Sequence, residues 1–515
     1  MLDSLFSHSG MNYLTQNDYD YLRKALSTGY DIGGTSQTGA GAMRMESLDN
    51  TLAILTERNH QLSMLNDVTR QPATSTAIEY AQRTALAAEN GGFYDEGELP
   101  EERADTYARK AAFSKYVGTV KNVTLPAQLT RHVVDQVQEA TAAGTMFVSR
   151  LMERKLFGGD SLLGLAGAQF VEFDGLERFI ERDAHAVTGV HDINLWGRAL
   201  EEQDLRDGGQ VIAGYHGIAT HAYLPTPVLE DYALGYLPHF QHRPGDQQGG
   251  ALSVGFALKK LQTVIGDYTL RPVWLYHGIT RETVPTTIST RAPSPACTVA
   301  VAVQATGTGQ WENSLGIDTS LKSGSVTYQI CLGNKYGQAA AVTSAAQAIS
   351  FANRVNSVRV TITNPAGGYS SAPTYAAIYR TDTDADGNTS GYFCVRRIAL
   401  TAVTAGAAGL VWDDDGDNMP GTYRCWVGMM DPSGFSLSEL LPFTRIPLPQ
   451  IALSTRFALV TFCTTVMRAP FTWVPIKNLA WRPSYRNTHT PLAVLRCVPH
   501  PYLHPATQSK RKMCS

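Results

Sequence analysis

A long amphipathic helix is the strongest constraint on the fold of this 515-residue chain. Between Ala127 and Phe157, small and apolar side chains recur every three or four residues, at Leu129, Val133, Val137, Ala140, Gly144, Phe147 and Leu151. This spacing places them on one face of a helix about 45 Å long. Pro126 precedes the first turn and Gly158 and Gly159 follow the last, as is typical of helix ends. The pattern predicts a helix, within residues 127–159, that spans a whole domain.

The residues before this helix, 1–75, predict an arm and a shorter helix. The first 45 residues end in a stretch rich in glycine and threonine that lacks the apolar periodicity of a core. We therefore expect an extended arm there. Leucines between Ser47 and Val68 recur near one face, which predicts a helix that ends before Pro72.

Residues 76–126 predict a long exposed hairpin. Two segments with strand character, TAIEYAQRTAL and ARKAAFSKYVGTVKNVTL, flank GGFYDEGELPEERAD, whose Gly, Pro and acidic residues form turns and loops. The tip is too polar to bury against its own domain. Composition favours a surface loop, and an arm that grips a neighbouring molecule is the other interpretation.

The remainder of the chain predicts two kinds of domain. Residues 160–280 alternate between strand and helix patterns, as in a mixed α/β domain, with helices expected at DINLWGRALEEQDL and PTPVLEDYALGY. Six short β-rich runs within 293–422 follow a Pro/Thr/Ser-rich linker and predict a β-sandwich of the immunoglobulin or fibronectin type. The α/β pattern resumes over 423–480, so the sandwich is expected to be an insertion. Residues 481–515 form a basic tail without acidic residues.

Composition and cysteine usage narrow the class of protein. The chain is 43% apolar and 17% charged with a net charge of -3, typical of a folded protein without a global attraction to nucleic acid. Its seven cysteines are irregularly spaced, without a CxxC pair, which favours buried thiols in a reducing compartment over a disulfide framework or a zinc site. Neither a signal peptide pattern nor an 18-residue apolar run is present, so a secreted or membrane-spanning protein is not expected.

No motif predicts a catalytic residue or a cofactor. A phosphate loop would need lysine where Ala40 follows Gly39, and GTGQWE from Gly307 lacks the third glycine of a dinucleotide-binding loop. HExxH and GxSxG are absent. We expect a protein that is not an enzyme.

Two aspartate clusters are candidates for calcium binding. They comprise Asp382, Asp384 and Asp386, and Asp413, Asp415 and Asp417. The first opens like an EF-hand loop, but Phe393 occupies the position of the bidentate glutamate. Because aspartate and glycine are also common hairpin-turn residues, turns are favoured over a metal site. The SKRK sequence of the tail could contact DNA phosphates, but a solvated tail or one that lies on a neighbouring subunit is favoured.

Several sequence segments resemble those of tailed-bacteriophage major capsid proteins of the Hong Kong 97-type coat protein family. AMRMESLDNTLAILTERNHQLSMLNDVTRQPATSTAIEY is similar to the arm-to-helix start of that family, and GGFYDEGELPEERADTYARKAAFSKYVGTVKNVTLP to its E-loop. FDGL at 173–176, LLPFTRIPL and RAPFTWVPIKNL also resemble recurrent capsid phrases. They occur in the family order over most of residues 40–280 and 425–480.

The resemblance implies an α+β Hong Kong 97-type capsid fold with an N-arm, an E-loop hairpin, a long spine helix, and peripheral and axial domains. The axial domain would span about 160–275, the peripheral domain would combine the spine helix with strands near 457–479, and the inserted immunoglobulin-like sandwich would be displayed outside. Implied partners are further copies in hexamers and pentamers, portal, scaffold and decoration proteins, and packaged double-stranded DNA, in a virion assembled in the host cytoplasm. Some members of this family cross-link the E-loop to a neighbouring subunit through lysine and asparagine. Lysines 110 and 115 lie in the hairpin, but no matching local motif accompanies them, so we predict a noncovalent shell.

Other functions remain open at this point. An encapsulin-like nanocompartment would use the same subunit architecture. An adhesin or decoration protein would act through the β-sandwich, although the large α/β remainder disfavours it. A hydrolase with an accessory β-domain would need a group of catalytic residues that the sequence lacks.

Overall fold

The computed structural model describes residues 61–85, 95–97, 106–129, 135–163, 172–185, 191–236, 259–400, 403–449 and 453–480. Its α-helices are α1 Met64–Asp67, α2 Leu125–Leu129, α3 Gln136–Gly158, α4 Leu176–Phe179, α5 Glu202–Gly214, α6 Thr226–Tyr236 and α7 Trp311–Leu315. Its strands are β1 Thr69–Pro72, β2 Ala77–Ala85, β3 Thr106–Phe113, β4 Lys115–Thr124, β5 Ile193–Asn194, β6 His221–Pro225, β7 Lys260–Gln262, β8 Asp267–Val273, β9 Thr298–Val303, β10 Ser323–Asn334, β11 Gly337–Gln338, β12 Val342–Thr343, β13 Gln347–Ser350, β14 Val358–Thr363, β15 Tyr375–Thr383, β16 Phe393–Ala399, β17 Ala408–Asp414, β18 Tyr423–Gly428, β19 Phe435–Pro447, β20 Ser454–Met467 and β21 Trp473–Leu479.

The long helix α3 packs on a four-stranded sheet with the strand order β1-β19-β20-β4. Strand β1 is parallel to β19, and the other pairs are antiparallel. Buried Val123, Phe457 and Leu459 form a small core against the half-buried Val137 and Ala140 of α3. The sheet and helix therefore form one layered unit, which we call the peripheral unit.

The predicted helix from Ala127 to Phe157 is wrong in its start and in part of its buried face. Residues 125–129 form the separate helix α2, and α3 begins after Asp135, whose carboxylate accepts a hydrogen bond of 2.8 Å from the N–H of Val137. Residues 130–134 lie outside the described residues. Leu129 and Phe147 are 78% and 52% exposed.

Beyond Gly144, the buried face of α3 is displaced by one position from the predicted stripe. The buried side chains there are Val148, Met152, Glu153, Leu156 and Phe157. The reason is that the second half of the helix leaves the sheet and enters the main core, where it meets residues from many other segments. Spacing along one helix does not specify that change of partner.

A six-stranded sheet forms the second unit, which we call the axial unit, with the strand order β5-β21-β18-β6-β8-β7. Its own core includes residues of α5, α6 and most of these strands. The predicted helix over DINLWGRALEEQDL is corrected: β5 occupies Ile193–Asn194, and the helix begins only at Glu202. The helix predicted at PTPVLEDYALGY is confirmed as α6.

The strands near 457–479 do not all belong to the peripheral unit. Strand β20 does, but β21 pairs with β18 and β5 in the axial sheet. Between them lies the short turn Pro470–Thr472, which redirects the chain from one sheet to the other. Residues after 423 thus complete both units.

The hairpin predicted within 76–126 is confirmed at its base. Strands β2 and β3 pair antiparallel, with Ala77 opposite Phe113. The second predicted strand segment is divided at Ser114, because β4 continues into the peripheral sheet and pairs there with β20. Most of the tip, and the predicted arm, lie outside the described residues. Of the helix predicted between Ser47 and Val68, the described part is helical in α1 at Met64–Asp67, and Leu62 and Ser63 before it are not α-helical.

Residues 298–414 form two sheets around one core, which we call the β-sandwich. All six predicted β-rich runs contain strands. Strands β10, β15 and β16 belong to one sheet, and β17, β14 and β9 form the other. Buried Tyr328, Ile330 and Ile378 of the first sheet meet Val360 and Ile362 of the second. The β-sandwich therefore has a core of its own.

Five cysteines lie within the described residues, and all five are buried free thiols. Burial raises the pKa of Cys297 to about 11 and that of Cys394 to about 12, so these thiols stay protonated at neutral pH. They pack as small hydrophobic side chains. In the described part of the chain, no helix is long and apolar enough to cross a membrane.

Candidate assembly interface

The base of the β2–β3 hairpin is fixed to the body by buried polar contacts. Gln82 is 7% exposed, and its amide donates hydrogen bonds of 3.0 Å to the backbone oxygens of Met467 and Arg468. Tyr80, also 7% exposed, packs beside it. The hairpin therefore leaves the body in a defined direction.

An ion-pair cluster holds the second strand of the hairpin. The ammonium of Lys110 lies 2.7 Å from the carboxylate of Asp183, and Arg182 contacts both Asp183 and Asp174 at 3.0 and 2.9 Å. Burial alone would raise the pKa of Asp183, but hydrogen bonds from Arg182 and Lys110 bring it below its usual value. The carboxylate is therefore charged at neutral pH and holds Lys110 to the body.

The outer face of the hairpin carries exposed aromatic rings. Strand β3 alternates, so Tyr107, Arg109, Ala111 and Phe113 lie on one exposed face. Tyr107 is 66% exposed and Phe113 is 61% exposed. Rings of this size bury a large apolar area when a partner covers them.

The peripheral sheet also exposes apolar side chains. On the face away from α3, Tyr116 lies opposite Phe462 with the ring centroids 4.6 Å apart. Val120 and Ile446 on the same face are 55% and 40% exposed. We call this face, together with the exposed face of β3, the outer apolar surface. It is a candidate contact surface of the hairpin and peripheral unit.

Glu153 of α3 joins this helix to the segment that leads into the hairpin. Its fully buried carboxylate accepts hydrogen bonds of 2.7–3.1 Å from the N–H groups of Ser63, Met64 and Leu65, at the start of α1. Burial raises its pKa, although these hydrogen bonds act in the opposite direction. Such a carboxylate satisfies the otherwise unpaired N–H groups of a helix start.

The first aspartate cluster is divided between a buried ion pair and a turn. Asp382 accepts hydrogen bonds of 2.7 and 3.0 Å from the buried guanidinium of Arg380. Asp384 accepts from the N–H groups of Asp386 and Asn388 within the β15–β16 turn. Asp386 lies 3.4 Å from the ammonium of Lys322.

The second cluster is also distributed among separate partners. Asp413 pairs with the exposed Arg359, and the side chain of Asp417 contacts Lys477 and Asn194 of the axial unit. Burial raises the pKa of Asp415. Asp414, in the same run of aspartates, accepts from Arg380 and from the hydroxyl of Tyr328 at 2.7 and 2.9 Å. Among the described residues, no three His, Cys, Asp or Glu side chains are grouped so that they could hold a metal ion.

Sequence reasoning missed Gln82, the Lys110–Asp183 pair and Glu153. Each has its partner 73 or more positions away along the chain, for example Gln82 and Met467. No local pattern indicates such a contact. The sequence next to Glu153 contains the charged Arg154 and Lys155, so nothing local marked this glutamate as buried.

The comparison with curated proteins extends over most of the chain. The major capsid protein of Staphylococcus phage K is 28% identical over 473 residues, which cover 89% of this chain and 94% of that protein. The putative major capsid protein of Enterococcus phage phiEF24C is 28% identical over 469 residues, with the same coverage of both chains. This chain is a relative of phage major capsid proteins. The resemblance that the sequence segments carry is confirmed.

No family model matches the chain. Among solved structures, the capsid of a native GTA particle has a TM-score of 0.42 and 7% identity, covering 87% of this chain and 100% of that one. The SrpI encapsulin of Synechococcus elongatus has a TM-score of 0.40 and 7% identity, covering 86% and 96%. The capsid structure of Microbacterium phage Oxtober96 has a TM-score of 0.39 and 8% identity, covering 90% and 99%.

Proposed function

We propose that this protein is a major capsid protein, which self-assembles into the icosahedral head shell of a tailed phage. The observation that carries this function is the similarity to phage major capsid proteins over 89% of the chain. The pinned hairpin, the long helix α3 and the two sheet units agree with the Hong Kong 97-type architecture that the sequence phrases implied. An encapsulin-like compartment is the alternative, and the contents of the purified particles distinguish it from a phage capsid.

The outer apolar surface is the proposed contact between neighbouring subunits in hexamers and pentamers. Tyr107 and Phe113 would bury their rings on the next subunit, and the contact would be noncovalent. A shell subunit gains stability from such repeated contacts without enlarging its own core. The ion pair between Lys110 and Asp183 supports a structural role for this lysine rather than a cross-link.

The β-sandwich is the proposed inserted, immunoglobulin-like domain on the outside of the shell. Its separate core supports this interpretation. So does the backbone beside it, where the N–H of Gly421 donates to the oxygen of Thr280 at 2.8 Å. Chain entry and exit therefore lie side by side, as an insertion requires.

We place the protein in the virion, after assembly in the host cytoplasm, with portal, scaffold and decoration proteins as partners. Packaged double-stranded DNA would make weak nonspecific contacts with it. The capsid relatives support a structural protein and not an enzyme.

Electron microscopy of the expressed chain tests the shell. We expect closed icosahedral particles, and persistent monomers under all assembly conditions would contradict the proposal. Particles purified from infected cells should contain double-stranded DNA. Closed particles that enclose a protein cargo instead would identify the encapsulin-like alternative.

A matched pair of variants tests the contact surface. Tyr107→Asp places a charge on the outer apolar surface, and we expect folded subunits that no longer assemble. Leu321→Asp is the control, because Leu321 is 96% exposed in the turn before β10 of the β-sandwich, outside the outer apolar surface. Normal assembly of Tyr107→Asp would exclude this contact.

A further inference from the structure

A cavity lies where the β-sandwich meets the body of the protein. Its volume is about 400 Å³, within the range of small-ligand sites. Its wall includes Arg154 from α3, His277 and Arg281 from the segment after β8, and Tyr379 and Arg397 from the β-sandwich. Three segments that are distant in sequence therefore line one open cavity.

The wall carries an excess of positive charge. Three guanidinium groups, those of Arg154, Arg281 and Arg397, face a single acidic residue in the wall, Glu282. That carboxylate is already paired with Arg397. Among the described residues, no carboxylate lies within ion-pair distance of Arg154 or Arg281.

Arg281 is held in place by contacts that leave its charge uncompensated. It donates a hydrogen bond of 2.9 Å to the backbone oxygen of Gly421 and lies 4.6 Å over the ring of Tyr423. Neither contact supplies a negative charge. The exposed Arg154 extends from the last turns of α3 and lines the same cavity.

The positive charge of the wall acts on the pKa of His277. Burial lowers its pKa, and the positive charges of Arg281 and Arg154 lower it further. Its Nδ1 atom is buried without a hydrogen-bond partner among the described residues, and so is the Nε of Arg397. The wall thus combines uncompensated charge with unsatisfied polar atoms.

We propose that this cavity binds a small oxyanion of the sulfate or phosphate class. Guanidinium groups bind such oxyanions through charge-assisted hydrogen bonds, and a cation would meet net repulsion here. Because Arg154 belongs to α3 and Arg397 to the β-sandwich, a bound oxyanion stabilises the sandwich against the body. The proposal goes beyond shell formation and does not depend on it.

Isothermal titration of full-length unassembled subunits tests the site. Sodium sulfate and inorganic phosphate are titrated separately at constant ionic strength, with sodium chloride as the reference. We expect one site per chain, and a loss of affinity of roughly tenfold or more in Arg154→Gln. Arg206→Gln is the matched control, because Arg206 is an exposed arginine on α5 that pairs with Glu202. Absence of binding, or equal affinity in Arg154→Gln and the control, overturns the proposal.

Proton uptake supplies a second readout that general electrostatic attraction would not produce. A bound sulfate raises the lowered pKa of His277, so binding near pH 6 takes up protons. Titrations in two buffers of different ionisation enthalpy measure this uptake. We expect it to disappear in His277→Gln, and unchanged uptake in that variant would remove His277 from the site and overturn the proposal.

Discussion

Two arginines of the β-sandwich make the same kind of contact in different surroundings. Arg380 is fully buried and binds Asp382 and Asp414, and its guanidinium lies 5.0 Å from the ring of Trp311. Arg359 on the surface makes a two-pronged contact with Asp413 at 2.7 and 2.8 Å. A buried charge that loses its partner stays desolvated, whereas an exposed one returns to water. Loss of the buried pair should therefore lower the free energy of unfolding more than loss of the exposed pair does.

The substitution Arg380→Met leaves two buried carboxylates without their cation. We expect the free energy of unfolding of the β-sandwich to fall by about 3–5 kcal/mol. Urea denaturation of unassembled subunits, followed by the fluorescence of buried tryptophans such as Trp311, measures it. Arg359→Gln is the control and should leave the urea midpoint unchanged. Equal midpoints for the two variants would show that the buried pair adds no stability.

At the scale of elements, the contact between α3 and the peripheral sheet depends on one glycine. A Cβ atom built on Gly144 would lie 2.4 Å from Cδ1 of Leu459 and 3.2 Å from Cε of Lys121. Leu459 is fully buried and has little room to move. The absence of a side chain at Gly144 therefore sets how closely the helix approaches the strand.

The substitution Gly144→Leu should separate α3 from β20. Leucine favours a helix by up to about 1 kcal/mol over glycine, but overpacking costs typically 1–3 kcal/mol. Because this side chain would overlap Leu459, we expect net destabilisation and a lower thermal midpoint by circular dichroism. Ala143→Leu is the control, since Ala143 is exposed on the same helix. A midpoint of Gly144→Leu at or above that of the control would contradict this packing.

Helices and strands were predictable from the sequence where a local hydrophobic periodicity defines them. The strands of the β-sandwich and helix α6 follow from alternation or from three-to-four spacing. Two features depended on distant partners and were not predictable: the exposure of Phe147 and the pairing of β21 with β18. The same limit applies to the hairpin anchor, because nothing near Lys110 in the sequence points to Asp183. The function was predicted from sequence segments that resemble those of capsid proteins, because hydrophobic periodicity alone does not indicate it.

At the scale of the whole molecule, the body and the β-sandwich have separate cores joined by a polar junction. The three core clusters of the body contain no residue between 298 and 414. Arg396 of β16 pairs with Glu181, and Arg397 pairs with Glu282 at the junction. Ile279 and Val284 add a smaller apolar contact with Cys394 and Tyr379. The β-sandwich is thus attached by specific polar and apolar contacts but does not complete the core of the body.

The contacts at this junction define a deletion that tests the predicted insertion over 293–422. Replacing residues 283–415 with a Gly/Ser linker of about six residues keeps Asp417, which pairs with Lys477, and spans the gap at up to about 3.5 Å per residue. Because the retained cores are complete, we expect the shortened subunit to fold and to assemble into closed shells. Electron microscopy should show particles of unchanged diameter that lack the density of the β-sandwich. Soluble, folded subunits that fail to assemble would instead make the β-sandwich part of the contact between subunits, and unfolded subunits would contradict the insertion itself.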